Sequence, residues 1–368
     1  MKLAIVRQKY TPFGGAERFV ARALDALRAQ GVAVDIIARN WEDDAAGVKC
    51  DPFYLGRTWR DMGFARCVQR VIASGRYDLV QSHERIPGCH IFRAGDGVHA
   101  TWLELAGKPL TWLSPWHRYT LAAEAAMFRH PDLRAVICNS RMVRDDIARR
   151  FPAIADKLHV IHNGIDLEHF HPGLRALHRD AVRTKLGAGG TAPVILYVGS
   201  GYARKGVATL LEALAHMATS SAAVWIIGRD KHENHYRQLA RKLGVEKRVR
   251  FLGAQHDVRP FLGAADLFCL PTLYDPLPNA ALEALACGLP VVTTTTCGAA
   301  EFIEPGVNGA LSPPLEPVAM AARLDALCAQ GIAHAMAQAA AASVAALTPA
   351  AMSAQLLGLY RRLMEAAQ

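Results

Sequence analysis

The chain has 368 residues, longer than the size at which one hydrophobic core usually stops growing, so two domains are expected. Hydrophobic residues make up 51% and charged residues 20%, a globular balance that excludes a disordered chain, a fibre or a repeat scaffold. The net charge of +9 is spread over both halves: residues 1–168 hold 24 Lys and Arg against 19 Asp and Glu, and the remainder 18 against 14. Such a spread suits a diphosphate substrate, an anionic membrane surface or plain solubility better than the dense basic stripe of a nucleic-acid binder. No nucleic acid and no obligate protein partner are expected. No apolar run approaches the ~20 residues that cross a bilayer, and Leu3-Ala4-Ile5-Val6 is too short for a signal-peptide core. The expected location is cytoplasmic, with peripheral contact at the inner face of the membrane as an option. Eight cysteines (50, 67, 89, 138, 269, 287, 297 and 328) include no Cys-x-x-Cys pair. They read as small buried hydrophobes, with no disulfide framework expected in that compartment.

In chain order, an apolar strand at 3–6 leads through the Gly14-Gly15 loop into a helical pattern at 16–29 and a second strand at 32–38, a βαβ unit. The same grammar returns later. Val194-Ile195-Leu196-Tyr197-Val198-Gly199 runs as a strand into a Gly/Arg/Lys loop, then a helix near 206–217 and a strand at 223–227. Apolar runs at 249–252, 267–270 and 290–293, separated by helical lengths, extend that parallel sheet. The turn His162-Asn163-Gly164-Ile165-Asp166 and a polar stretch with Pro172, Gly173 and the glycines of 187–190 place the boundary near 163–190. Helical periodicity continues at 315–329, 332–346 and 350–367. The expected class is α/β with two doubly wound domains, 1–168 and 169–349, and a last helix in 350–368 that crosses back to the first.

Ligands of such sheets meet the C-terminal ends of parallel strands, where helix N-termini present unpaired N–H groups. Gly14-Gly15 lies at such a place, and so does any ordinary tight turn. Gly199-Ser200-Gly201 followed by Arg204-Lys205-Gly206 sets two cations just ahead of a helix, a stronger signal for a phosphate. The most specific stretch is Tyr274-Asp275-Pro276-Leu277-Pro278-Asn279-Ala280-Ala281-Leu282-Glu283-Ala284-Leu285, then Cys287-Gly288-Leu289-Pro290-Val291-Val292. It puts one carboxylate in a loop after a strand and another about a turn inside the next helix.

Here the sequence resembles glycosyltransferase family 4, whose signature is Glu, seven residues, Glu, ahead of an Ala-rich helix and a Gly-x-Pro-Val-Val strand. Asp275 takes the first Glu position, keeping the charge but shortening the reach by one methylene, and Glu283 takes the second. Other landmarks follow in family order: the Gly-Gly loop, Asn139-Ser140, His162-Asn163-Gly164-Ile165-Asp166 with Phe170, Arg204-Lys205-Gly206, Gly228 and Phe251-Leu252-Gly253. Lys9-Tyr10-x-Pro12-Phe13-Gly14-Gly15 and Gly228-x-Asp230-Lys231 are similar to the lipopolysaccharide core glucosyltransferase branch.

The resemblance covers nearly the whole chain. It implies a GT-B architecture, two Rossmann-like domains facing a central cleft, with acceptor on the first and nucleotide sugar on the second. Glu283 would accept from the ribose hydroxyls and Asp275 would hold the donor sugar, charged hydrogen bonds worth ~1.5–3 kcal/mol each. Gly14, Gly15, Gly199, Gly228, Arg229, Val258 and the stretch Pro278, Asn279, Ala280 and Ala281 would line the nucleotide sugar. The family's reaction retains anomeric configuration without a metal, and the sequence holds no Asp-x-Asp pair to bind one. Arg204 and Lys205 would then neutralise the departing diphosphate. No cofactor is expected beyond the UDP-sugar co-substrate.

Asp96, in Arg93-Ala94-Gly95-Asp96-Gly97-Val98-His99, matches an Asp of the core-transferase branch and is the candidate beneath the sugar, although an Asp between glycines is commonly a turn former. His83 and His99 compete with it and are candidates for acceptor or sugar contact. His169-x-His171 and His232-x-x-His235 lack converging partners for a metal. Trp102, Trp112 and Trp116, with Lys108, His117, Arg118 and Arg129, suit a membrane interface or a helical hairpin packed into the domain. The expected activity is hexosyl transfer, glucose foremost, from a UDP-sugar to a lipopolysaccharide core or other glycan or lipid-linked acceptor. GDP-mannose or UDP-N-acetylglucosamine transfer, a sugar-nucleotide epimerase and a non-catalytic binding protein are the alternatives.

Overall fold

The computed structural model describes residues 2–10, 31–41, 47–107, 110–189, 191–329 and 331–365. The chain divides into two compact units, Met1–Gly164 with Pro349–Gln368, and Ile165–Thr348.

The first unit is built on a seven-stranded sheet. Its strands are β1 (Lys2–Val6), β3 (Ala33–Ala38), β5 (Gly47–Lys49), β6 (Leu79–Ser82), β7 (Ile91–Ala94), β8 (Ala135–Cys138) and β9 (Leu158–Val160). They run in the order β5-β3-β1-β6-β7-β8-β9, and every pairing is parallel. The two-residue strands β2 (Lys9–Tyr10) and β4 (Asn40–Trp41) form a separate parallel pair. A parallel sheet is covered on both faces, so its central strands read as continuous apolar runs. β1 illustrates this: Leu3 and Ile5 join one core cluster with Leu356 and Tyr360, while Ala4 and Val6 join another with Phe64 and Val68. Those partners come from the helices Pro349–Glu365 and Gly56–Ala73. In the former, Met352, Leu356, Leu359 and Tyr360 recur at helical spacing and are buried. The Tyr360 hydroxyl donates to Gln81 Oε1 at 2.6 Å, which satisfies both polar groups inside the core.

The expectation about cysteines needs one correction. Cys50, just after β5, and Cys67, on the helix Gly56–Ala73, are joined as a disulfide, their Cα atoms 5.7 Å apart. Both side chains belong to the same core cluster beneath the sheet. That meeting depends on how the helix packs, which a separation of 17 residues does not announce. The other six cysteines are free, five of them buried.

The second unit holds β10 (Val194–Val198), β11 (Ala223–Ile227), β12 (Val249–Gly253), β13 (Leu267–Leu270), β14 (Val291–Thr294) and β15 (Gly309–Ser312). Their order is β12-β11-β10-β13-β14-β15, again all parallel. The chain winds outward from β10 in one direction and then restarts beside it at β13. Such a reversal opens a crevice at the carboxyl ends of the two strands, where ligands of doubly wound sheets bind. No described helix is long and apolar enough to cross a membrane.

Candidate active site

In the second unit, two loops leave β10 and β13 at the point of reversal. The Arg204 carbonyl accepts from the Leu273 N–H at 2.8 Å and the Thr272 hydroxyl at 3.1 Å, lacing the loops together. Gly206 has φ +77°, and a Cβ there would fall 1.8 Å from the Pro271 carbonyl oxygen. Only glycine permits both the conformation and the approach. This closure delivers two cations to one carboxylate: Lys205 Nζ lies 3.1 Å and Arg204 Nη1 3.4 Å from Asp275 Oδ2. Arg204 Nη1 also donates to the Tyr274 carbonyl at 3.1 Å. The Asp275 backbone is clasped from the loop after β14, its N–H donating to Thr296 O at 3.3 Å and its carbonyl accepting from Gly298 N–H at 2.8 Å.

Asp275 is 6% and Glu283 7% exposed. Neither is a solvated helix-start charge. Asp275 Oδ2 is enclosed by the protein and faces both cations. Glu283 stands one turn inside the helix Asn279–Ala286, which Pro278 precedes. Pro278 offers no N–H, and the Ala281 N–H is taken by the Pro278 carbonyl at 3.1 Å. Asn279, Ala280 and Ala281 form the first turn of that helix.

Gly199 and Gly228 press the same loop from below. A Cβ on Gly199 would meet Lys205 Cδ at 2.6 Å, and one on Gly228, at φ +144°, would meet the Gly199 carbonyl at 2.1 Å. The Arg229 N–H donates to Ser200 Oγ at 3.1 Å. Asp230 organises the loop in a way its motif alone does not reveal: its carboxylate accepts from the Tyr202 and His232 N–H groups, both at 2.8 Å. Gly199, Arg204, Lys205, Gly228, Arg229 and Asp275 thus form one connected loop system. Val258 follows the outer strand β12, whose Gly253 carbonyl accepts from the Gly228 N–H at 2.9 Å, and stands just ahead of the helix Arg259–Ala264.

In the first unit, Gly14 and Gly15 lie outside the described residues. Asp96 is exposed at the tip of the Gly95-Asp96-Gly97 turn that follows β7. Arg85 Nη2 donates to the Gly97 carbonyl at 2.9 Å, and its Nε donates to Glu124 Oε1 at 2.8 Å. The same Glu124 oxygen accepts from the His99 N–H at 3.0 Å. His99 is buried, stacks on Trp102 and His117, and sets Nε2 3.0 Å from His117 Nδ1. Burial, then the charges of Arg85, His117 and Arg57, push its pKa down to about 4. His83, buried after β6, is held well below the usual imidazole range by burial and by Arg93 and Arg7. Both imidazoles are neutral at pH 7.

Trp102 and Trp116 are half-buried in this aromatic group. Trp116 Nε1 donates to Asp61 at 2.7 Å, with the Arg57 guanidinium 3.8 Å above the ring. The exposed apolar groups lie beside them in sequence: Leu110 and Leu113, and on the facing segment Leu55 and Trp59.

Residues 13–169 match the family described as Glycosyltransferase Family 4, and residues 192–330 the one described as Glycosyl transferases group 1. Among curated relatives, the lipopolysaccharide glucosyltransferase WaaG of Escherichia coli K12 is 27% identical over 310 residues, 82% of this chain and 83% of that protein. An alpha-maltose-1-phosphate synthase of Mycolicibacterium smegmatis is 32% identical over 330 residues, 84% of each. The crystal structure of WaaG superposes with a TM-score of 0.82 at 25% identity, covering 95% of this chain and 98% of that one.

Proposed function

Because the chain belongs to the family 4 glycosyltransferases, with the two Rossmann-like units of the GT-B fold, we propose that it moves glucose from UDP-glucose to a lipopolysaccharide core or related glycan, with retention and without a metal. The observation that supports this most is the Lys205–Asp275–Arg204 group at the strand reversal of the second unit. A carboxylate set at the strand reversal fits sugar hydroxyls. Two cations at its side fit a diphosphate, and Glu283, one turn into the following helix, fits the ribose. As the glycosidic oxygen departs with the diphosphate, negative charge grows where Lys205 and Arg204 already stand, so their attraction strengthens toward the transition state. In a front-face displacement the departing phosphate oxygen takes the acceptor's proton, and no separate base is required. Asp96, on the first unit, accepts from a hydroxyl of the acceptor.

Attachment to an anionic membrane belongs to the same reading. It is supported by the exposed Leu55, Trp59, Leu110 and Leu113 near the Arg57–Trp116 contact. The half-buried Trp102 and Trp116 serve packing instead.

The catalytic assignment is tested by Lys205→Ala. Loss of one charge donor costs about 2.7–4 kcal/mol in the transition state, about 10²–10³ in kcat. A variant that folds, binds the nucleotide sugar and turns it over at the wild-type rate would refute the assignment. Removing one partner from a buried ion pair also destabilises, so thermal unfolding accompanies the kinetics.

A further inference from the structure

β7 carries an arginine inside a parallel sheet buried on both faces. Arg93 is 2% exposed, and burial, with repulsion from Arg7, pushes its pKa down to about 9 against the attraction of Asp96. An aliphatic residue would fill the strand without desolvating a charge, so the guanidinium calls for another reason. Its Nη2 donates to Asn163 Oδ1 at 2.7 Å. Its Nη1 lies directly under the catalytic turn: a Cβ on Gly95 would come within 2.7 Å of it. Gly95 is not among the glycines with positive φ, so what a Cβ there would have to displace is the end of the Arg93 side chain rather than backbone. The turn is held on its other sides as well, by Arg85 at the Gly97 carbonyl and by Asn139 Nδ2 at the Gly95 carbonyl, 3.5 Å. Asn163 is the last residue but one before the chain leaves the first unit.

We propose that Arg93 is a positioning residue, a wedge between Asn163 and the Gly95-Asp96-Gly97 turn that sets where the Asp96 carboxylate stands. The inference rests on the reading of Asp96 as a group facing the acceptor. It accounts for the order Arg-x-Gly-Asp-Gly: the first glycine admits the guanidinium, and the second, at φ +68°, turns the chain back.

The test is a double-mutant cycle. Release of nucleoside diphosphate is followed with whichever of UDP-glucose, UDP-N-acetylglucosamine, UDP-galactose, GDP-mannose or ADP-glucose stabilises the protein most. A displacement of about 1 Å at a catalytic group can cost about 100-fold, so Arg93→Gln should lower kcat by about that factor and leave the donor KM within about threefold. In an Asp96→Asn background, the same change should cost under about threefold more, because the two act as one unit. Gly95→Ala, which keeps both side chains but pushes the guanidinium aside, should lower kcat about tenfold; it carries the cycle if Arg93→Gln fails to fold. Equal losses in both backgrounds would overturn the positioning role alone. A fully active Asp96→Asn would overturn the assignment of Asp96, and the positioning role with it.

Discussion

Asp275, Arg93 and His99 are polar groups held out of water at a cost, each for a different use. Asp275 is compensated by two cations, both on its Oδ2. His99 is kept neutral by burial and surrounding cations, with a pKa of about 4. The sign of its pH effect follows. In the unfolded chain the imidazole protonates as pH falls below about 6.5, whereas the folded one stays neutral down to about 4. Protons therefore favour unfolding across that window, and stability contributed above pH 6.5 is lost as pH drops toward 4. His99→Gln should flatten the pH dependence of urea unfolding between pH 6.5 and 4, without abolishing it because His83 is shifted the same way. An unchanged slope would show that folding does not lower the His99 pKa. Of these residues Asp275 is the one legible in the sequence, since its spacing to Glu283 is local. Arg93 stands in the same motif as Asp96, but its role depends on contacts with Asn163 seventy positions away.

Among elements, β10, β11 and β13 could be read to within a residue because they are unbroken apolar runs bounded by glycine or polar turns. β6 to β9 could not. Gln81 and Ser82 in β6, Arg93 in β7 and His159 in β9 break the apolar run, while β8 is a four-residue apolar run with no such break. The Ala-rich stretch at 332–346 reads as one helix but splits into Ile332–Ala335 and Ala337–Ser343, since alanine favours helix without marking where a tertiary contact interrupts it. At the short helix Thr111–Leu113, Leu110 just before it is 64% and Leu113 55% exposed. If it meets lipid, a Leu110→Asp/Leu113→Asp variant should lose most of its sedimentation with vesicles containing anionic phospholipid. Donor binding should be unaffected. Undiminished sedimentation would remove these leucines from any membrane surface.

For the molecule as a whole, two parallel sheets were legible because βαβ grammar recurs in both halves. The family was legible because the Asp275–Val292 block joins two carboxylates at a fixed spacing to an Ala-rich helix and a Gly-x-Pro-Val-Val strand. The donor and the acceptor are not written in single motifs; they depend on contacts distributed over loops such as 228–231 and 275–281. The central claim, that the strand reversal of the second unit holds a nucleotide sugar, is met most directly by a thermal-shift series with UDP-, GDP- and ADP-sugars on the wild type and on Glu283→Ala. A ligand at 100 times its Kd stabilises by about 2.7 kcal/mol. The predicted result is selective stabilisation by UDP-glucose that Glu283→Ala abolishes. Stabilisation by a nucleotide sugar that survives Glu283→Ala, or none with any of them, would contradict it.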